Sequence, residues 1–167
     1  ADLVVVAQRD PDSSGDGANL DSAIYESGRP VLVVPHDGAI TGSFQRTLIS
    51  WNGSREAARA AFDALPLLVE AEATEIFTID PDSHAEAAES ASALAAALSR
   101  HGAKVSVTTT ASNGAALDEV VRNRVAETGA DLVVLGAYSH SWLRELLFGG
   151  VTRSVLQSMP IATFVSR

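Results

Sequence analysis

Glycine, serine and histidine residues with the spacing of an anion-binding loop lie late in the chain. The run Leu132–Gly136 is apolar and rich in valine, which predicts a central parallel strand covered on both faces. A polar loop with Ser139 and His140 follows, and Gly149-Gly150 then opens a short predicted helix. A strand, a glycine loop and a helix start can surround an anion with backbone N–H groups. Anion binding is therefore the chemistry that this stretch predicts.

Residue types that could support catalysis or metal binding are otherwise scattered. A serine–histidine nucleophile at Ser139 and His140 would need an orienting group and an oxyanion hole, and the sequence indicates neither. Asp80 and Asp82 follow a predicted strand and are interpreted as turn and cap residues rather than Mg²⁺ ligands. We predict no catalytic residue and no metal site, because the histidines lack the spacing of metal ligands. They are His36, His84, His101 and His140.

Composition argues against several classes of protein. The 167 residues carry a net charge of −9, which disfavours nucleic acid as a partner because phosphate binding needs a basic face. The absence of cysteine excludes disulfides, thiolate metal sites and cysteine nucleophiles. No apolar run approaches the roughly 18 residues of a membrane span, and no signal segment opens the chain. We expect a cytoplasmic globular protein without nucleic-acid or membrane partners.

Alternating strand and helix patterns after residue 45 must position the candidate loop. The first predicted helix covers about Arg55–Glu70, with Ser54 as its N-cap and a kink at Pro66. Five strands separated by helices predict a doubly wound parallel sheet of the α/β class. The predicted strands are Thr47–Trp51, Glu75–Asp80, Lys104–Thr109, Leu132–Gly136 and Ile161–Val165. Ligands of such sheets bind beyond the carboxyl ends of the strands, here at Trp51–Ser54 and in the loop after Gly136.

Two early segments repeat two late ones. Ala1–Ala7 resembles Ala130–Gly136 almost residue for residue, and Arg29–Pro35 resembles Met159–Val165. The separation between the paired segments is kept within one residue, which favours an internal repeat over two unrelated valine-rich strands, the alternative that stays open.

The repeat divides the chain into two predicted domains. Residues 1–38 are interpreted as the C-terminal half of a first, degenerate copy that adds two strands, and residues 45–167 as a complete second copy. The chain also begins in a predicted strand and without methionine, as expected for a fragment whose front half is missing.

Two segments of the complete copy resemble universal stress proteins of bacteria. Trp51–Ala60, with the sequence WNGSREAARA, is similar to the segment that follows the first strand in this family. Gly136–Thr152 is similar to the family's signature loop, and Met159-Pro160 before the last strand fits as well. The resemblance covers nearly the whole chain, and tandem domains are common in the family. It implies the adenine-nucleotide-hydrolase-like fold and a role in the stress response.

The signature loop departs from the pattern of nucleotide-binding members, which is Gly, two residues, Gly, nine residues, Gly and then Ser or Thr. Gly136 and Gly149 match, but the second glycine falls on Ser139 and the hydroxyl position on Gly150. A Cβ at position 139 blocks the close backbone approach that a triphosphate needs. The family's acidic residue after the first strand is replaced by Asn52, a weaker partner for a nucleoside than a carboxylate.

The resemblance therefore implies a vestigial or weak nucleotide site. No cofactor is expected, and ATP binding stays open as the alternative. The residues of this site are Asn52, Gly53, Ser54, Gly136, Ser139, His140, Gly149, Gly150, Val151 and Thr152.

Three functions follow from the resemblance. The first is a non-enzymatic stress-response protein that acts through self-association or protein interaction. The alternative is an ATP-binding regulatory module that holds the nucleotide between Asn52 and the helix start at Gly149-Gly150. The third is an adenylyl-transferring or hydrolytic enzyme on the same fold, for which no base or nucleophile is present.

The last strand is expected to determine the assembly. As a sheet edge it favours pairing with another strand, and in universal stress proteins it typically pairs with its counterpart across a two-fold axis. Because tandem members can pair their copies within one chain, we predict a homodimer or an intramolecular pseudo-dimer. The strands that would meet are Val31, Leu32, Val33 and Val34 beside Ile161, Ala162, Thr163, Phe164 and Val165.

Overall fold

The structure, a computed structural model, describes residues 2–8, 20–37, 43–80, 85–137, 156 and 159–167. In that part of the chain, seven strands form one sheet. The strands are β1 (Val4–Ala7), β2 (Val31–Val34), β3 (Arg46–Ser50), β4 (Ala73–Ile79), β5 (Val105–Thr110), β6 (Leu132–Gly136) and β7 (Ala162–Ser166). The helices are α1 (Leu20–Glu26), α2 (Arg55–Asp63), α3 (Leu65–Glu70), α4 (Ala85–Arg100) and α5 (Leu117–Thr128). The strand order along the sheet is β1-β2-β7-β6-β3-β4-β5.

Strands β3 to β7 form the parallel five-stranded sheet that the sequence predicts. β4 and β5 follow on one side of β3, and β6 and β7 follow on its other side, all in parallel. The order therefore reverses between β3 and β6, which is the switch point of a doubly wound sheet. The strand bounds differ from the predicted ones by two residues at most.

The two strands of the first segment extend the same sheet. β1 pairs with β2 in parallel, and β2 pairs with β7 in the antiparallel direction, with Val31 opposite Val165 and Val33 opposite Thr163. The prediction that Val31–Val34 lies beside the last strand is therefore confirmed. Ile161 lies just before β7 rather than in it, because the ladder with β6 begins at Ala162.

Apolar residues that alternate along the central strands fill a core on each face of the sheet. In β3, Leu48 packs in the cluster that contains residues of α5, whereas Ile49 packs in the cluster of α2 and α4. Val133 and Val134 of β6 divide between the same two clusters. Burial on both faces explains the continuous apolar runs, and each such side chain contributes about 1.5–3 kcal/mol.

Local sequence signals determine where the helices begin and end. Ser54 is the N-cap of α2, which ends at Asp63, and Ala64 separates it from α3. Pro66 lies in the first turn of α3, where its missing N–H needs no partner, and this confirms the predicted break. Gly129 ends α5 in the left-handed conformation, with φ of 63°.

Arg124 fastens α5 to the sheet. Its guanidinium donates to both carboxylate oxygens of Glu75, at 2.6 to 3.2 Å, and lies 5.7 Å from the ring centroid of Phe77. The hydrogen bonds to Glu75 raise the pKa of Arg124, because the carboxylate stabilises the charged guanidinium.

Candidate functional site

The switch point between β3 and β6 brings together the first part of the predicted site. Asn52, Gly53 and Ser54 follow β3 and form a tight turn: the Asn52 side-chain oxygen accepts a hydrogen bond from the Ser54 N–H at 3.1 Å. Gly53 has a φ of 76°, which favours glycine. The Ser54 hydroxyl accepts from the Ala57 N–H at 3.1 Å and caps α2. Asn52 and Ser54 therefore have a structural role in the start of α2.

Gly136 at the end of β6 lies directly against the first turn of α2. A Cβ built on Gly136 would lie 2.5 Å from the Glu56 carbonyl carbon, 2.7 Å from the Ala57 Cα, and in contact with the Ala57 nitrogen. All three are backbone atoms, which cannot rotate away. Packing of α2 on β6 thus requires glycine here, a reason that the sequence interpretation of Gly136 as a loop glycine did not include.

Trp51 belongs to the core rather than to an open cleft. Its side chain is 6% exposed and packs in the cluster of α2 and α4. The indole N–H donates to the Ser90 hydroxyl on α4 at 3.1 Å. Because this bond satisfies the donor, the ring can stay buried at the carboxyl edge of the sheet.

A second pair of loops at the same edge is joined by Asp80. This residue follows β4 with a φ of 50°, uncommon for a residue with a side chain, and its carboxylate accepts from the Ser112 N–H at 2.7 Å. Asn113 in the loop after β5 is also left-handed, with φ of 51°. Asp80 is thus a turn residue, as predicted, whereas Asp82 lies outside the described residues.

Six residues of the predicted site lie outside the described part of the chain. They are Ser139, His140, Gly149, Gly150, Val151 and Thr152. The structure therefore brings together Asn52, Gly53, Ser54 and Gly136 around the start of α2, and the assignment of the other six stays a prediction.

Searches for metal sites and membrane spans cover the described residues only. Among them, no group of three or more His, Cys, Asp or Glu residues is arranged to hold a metal ion. No helix in the same ranges is both long and apolar enough to cross a membrane. His36 contacts Asp37 at 3.0 Å, and His101 packs edge-on against Phe62.

The family is decided by the sequence of the larger segment. Residues 44–167 match the sequence model of the universal stress protein family. The chain belongs to this family. No protein with a curated description matches it significantly.

Solved structures of universal stress proteins have the same fold. One from Archaeoglobus fulgidus DSM 4304 aligns with a TM-score of 0.69 and 19% identity over 99% of this chain. The alignment covers 60% of that protein, so the present chain spans less than two thirds of its length. A family member from Burkholderia pseudomallei aligns with a TM-score of 0.55 and 19% identity, over 75% of this chain and 98% of that one. A universal stress protein in complex with cAMP aligns with a TM-score of 0.57 and 17% identity, over 75% and 98%.

In this universal stress protein the described part of the switch point is built for packing. The side-chain oxygens of Asn52 and Ser54 hold the backbone of α2, and Gly136 allows that helix to approach β6. These groups can present a turn and a helix start to a ligand, but they include no nucleophile paired with a base.

Proposed function

We propose that this chain is a non-enzymatic stress-response protein that acts through the association of stress domains. In the proposal, residues 1–38 are the end of a first domain, and β2 and β7 join the two copies as an intramolecular pseudo-dimer. The pairing of β2 with β7 is the observation that carries it.

The register of β2 and β7 supports a two-fold relation between the copies. The sequence repeat matches Pro30 to Pro160, which makes Val33 the counterpart of Thr163. Val33 lies opposite Thr163 in the antiparallel ladder, so the two equivalent positions meet at the centre of the pair, and both are fully buried. Equivalent residues meet in this way at the axis of an isologous interface.

The parallel pairs on either side differ in one respect. Val4 lies opposite Val31, whereas its repeat counterpart Val133 lies opposite Thr163, the counterpart of Val33. The displacement is two residues, and an even displacement keeps each side chain on the same face of the sheet. The first copy is thus proposed to be degenerate in register without losing its buried face.

The reduced nucleotide loop supports association rather than nucleotide turnover. Ser139 and Gly150 replace residues that the family's nucleotide-binding members use, and the Asn52 side chain supports the α2 cap. We expect that Mg²⁺-ATP at about 1 mM leaves the midpoint of thermal unfolding unchanged, because a ligand at 100 times its dissociation constant would stabilise by about 2.7 kcal/mol.

A double variant sharpens this titration. Ser139→Gly with Gly150→Ser restores the family pattern and is expected to gain a midpoint shift with ATP, whereas Ser99→Gly with Gly102→Ser alters the same residue types at the end of α4 and should gain none. Calorimetric binding of ATP to the unchanged protein in the micromolar range would overturn the proposal.

The second candidate function is a nucleotide-binding regulatory module. The turn at Asn52–Ser54 lies at the switch point where such sheets bind ligands, and one structural relative was solved with cAMP. Binding of cAMP but not ATP in the same titration would favour this candidate, because cAMP lacks the triphosphate that a Cβ at position 139 hinders.

A further inference from the structure

A cleft rich in arginine lies at the carboxyl end of β7. It has a volume of about 200 Å³ and is formed where α1 and the turn before β2 meet α2 and the end of β7. The lining residues are Ile24, Gly28, Arg29, Arg59, Ser166 and Arg167. The cleft thus draws on both segments of the chain and lies on the far side of β6 from Asn52.

The cleft concentrates positive charge in an acidic protein. Acidic residues outnumber Lys and Arg by 21 to 12 in the whole chain, yet three of the six lining residues are arginines. Asp63 beside the cleft balances one of them, since its carboxylate contacts the Arg59 Nε at 3.4 Å. The same Asp63 accepts a hydrogen bond from the Ser166 hydroxyl at 2.5 Å. Two positive charges therefore remain in excess over this carboxylate.

Two of the arginines are held by local structure. The Ser27 hydroxyl contacts both the N–H and the carbonyl oxygen of Arg29 at 3.2 Å, and Gly28 between them is left-handed with φ of 60°. Arg59 lies on α2 and uses Nε for Asp63, so that contact does not involve its two terminal amino groups. A guanidinium directed in this way matches the oxygen geometry of a phosphate group.

We propose that this cleft binds the phosphate group of a small molecule, either free phosphate or a phosphomonoester. A cleft of this volume holds one phosphate with a short substituent, and opposed arginines neutralise its two charges. The site is separate from the nucleotide loop and does not depend on the proposed association through β2 and β7.

Titration with inorganic phosphate tests the proposal. At low ionic strength, with chloride matched, we expect calorimetric binding of phosphate to be detectable at about 10 mM, ten times a millimolar dissociation constant. Arg29→Gln and Arg59→Gln should each weaken it about tenfold, as expected for a lost charged hydrogen bond. Arg100→Gln, at an exposed position at the end of α4, changes the net charge equally and should leave binding unchanged.

The outcomes separate clearly. Glycerol phosphate that binds more tightly than inorganic phosphate identifies a phosphomonoester site, and the reverse order identifies a free-phosphate site. Absence of binding, or equal binding by Arg29→Gln and Arg100→Gln, would overturn the proposal. Because Arg29 lies in an exposed turn, its variant keeps the test valid even where Arg59→Gln disturbs the contact with Asp63.

Discussion

At the scale of single residues, the Thr163 hydroxyl is buried where β2 meets β7. Thr163 is 0% exposed, and in the described part of the chain its Oγ1 has no hydrogen-bond partner. A buried hydroxyl without a partner costs free energy, so this group opposes the pairing that surrounds it. Thr47, Thr74 and Thr78 bury their hydroxyls in the same way on β3 and β4.

Thr163→Val should therefore stabilise the protein. Valine keeps the shape and removes the hydroxyl, so we expect the free energy of unfolding to rise by about 1 kcal/mol. Urea unfolding measures this change, and Thr109→Val, at an exposed position in β5, should change it by less than about 0.5 kcal/mol. A loss of stability on Thr163→Val would show that the hydroxyl has a partner.

Residue roles that depend on distant neighbours could not be predicted from the sequence. Arg29, Arg59 and Arg167 are far apart along the chain, so no local motif marks the cleft that they share. Gly136 was predicted from its place in a loop pattern, but the pressing of α2 against it becomes visible only in three dimensions. Ser54 was predicted correctly because a cap depends on residues within one turn.

At the scale of elements, the contact between α2 and β6 positions the switch point. Gly136→Ala places a methyl group on the backbone of Glu56 and Ala57, and we expect a loss of about 3 kcal/mol in the free energy of unfolding. Gly129→Ala provides the comparison, because a Cβ there meets nothing within 4 Å and costs only the left-handed backbone, about 1–2 kcal/mol. Equal losses for the two variants in urea unfolding would contradict the close packing of α2 on β6.

The elements themselves were largely predictable. Valine-rich runs bounded by polar turns identified β3 to β7, since central parallel strands bury both faces. Pro66 announced the break between α2 and α3. β4 begins earlier than predicted, at Ala73, because pairing with β3 extends it through residues without a strong strand pattern.

At the scale of the whole molecule, one sheet unites the two segments of the chain. The internal repeat predicted which strands would meet, and the antiparallel ladder of β2 and β7 agrees with it. The register of β1 on β2 was not predictable, because an even shift leaves the pattern of buried side chains unchanged. The account depends on β2 and β7 pairing within one chain.

Engineered cysteine pairs measure that pairing most directly, since the protein has no cysteine of its own. Val33→Cys with Thr163→Cys, and Leu32→Cys with Phe164→Cys, place thiols at adjacent opposed positions, one of which is a close, non-hydrogen-bonded pair. Val33→Cys with Phe164→Cys is the control, because neighbouring positions point to opposite faces. We expect mild oxidation to give an intrachain disulfide at the mass of one chain in at least one opposed pair and none in the control. Disulfide-linked dimers in its place, or no disulfide in either opposed pair, would contradict the account.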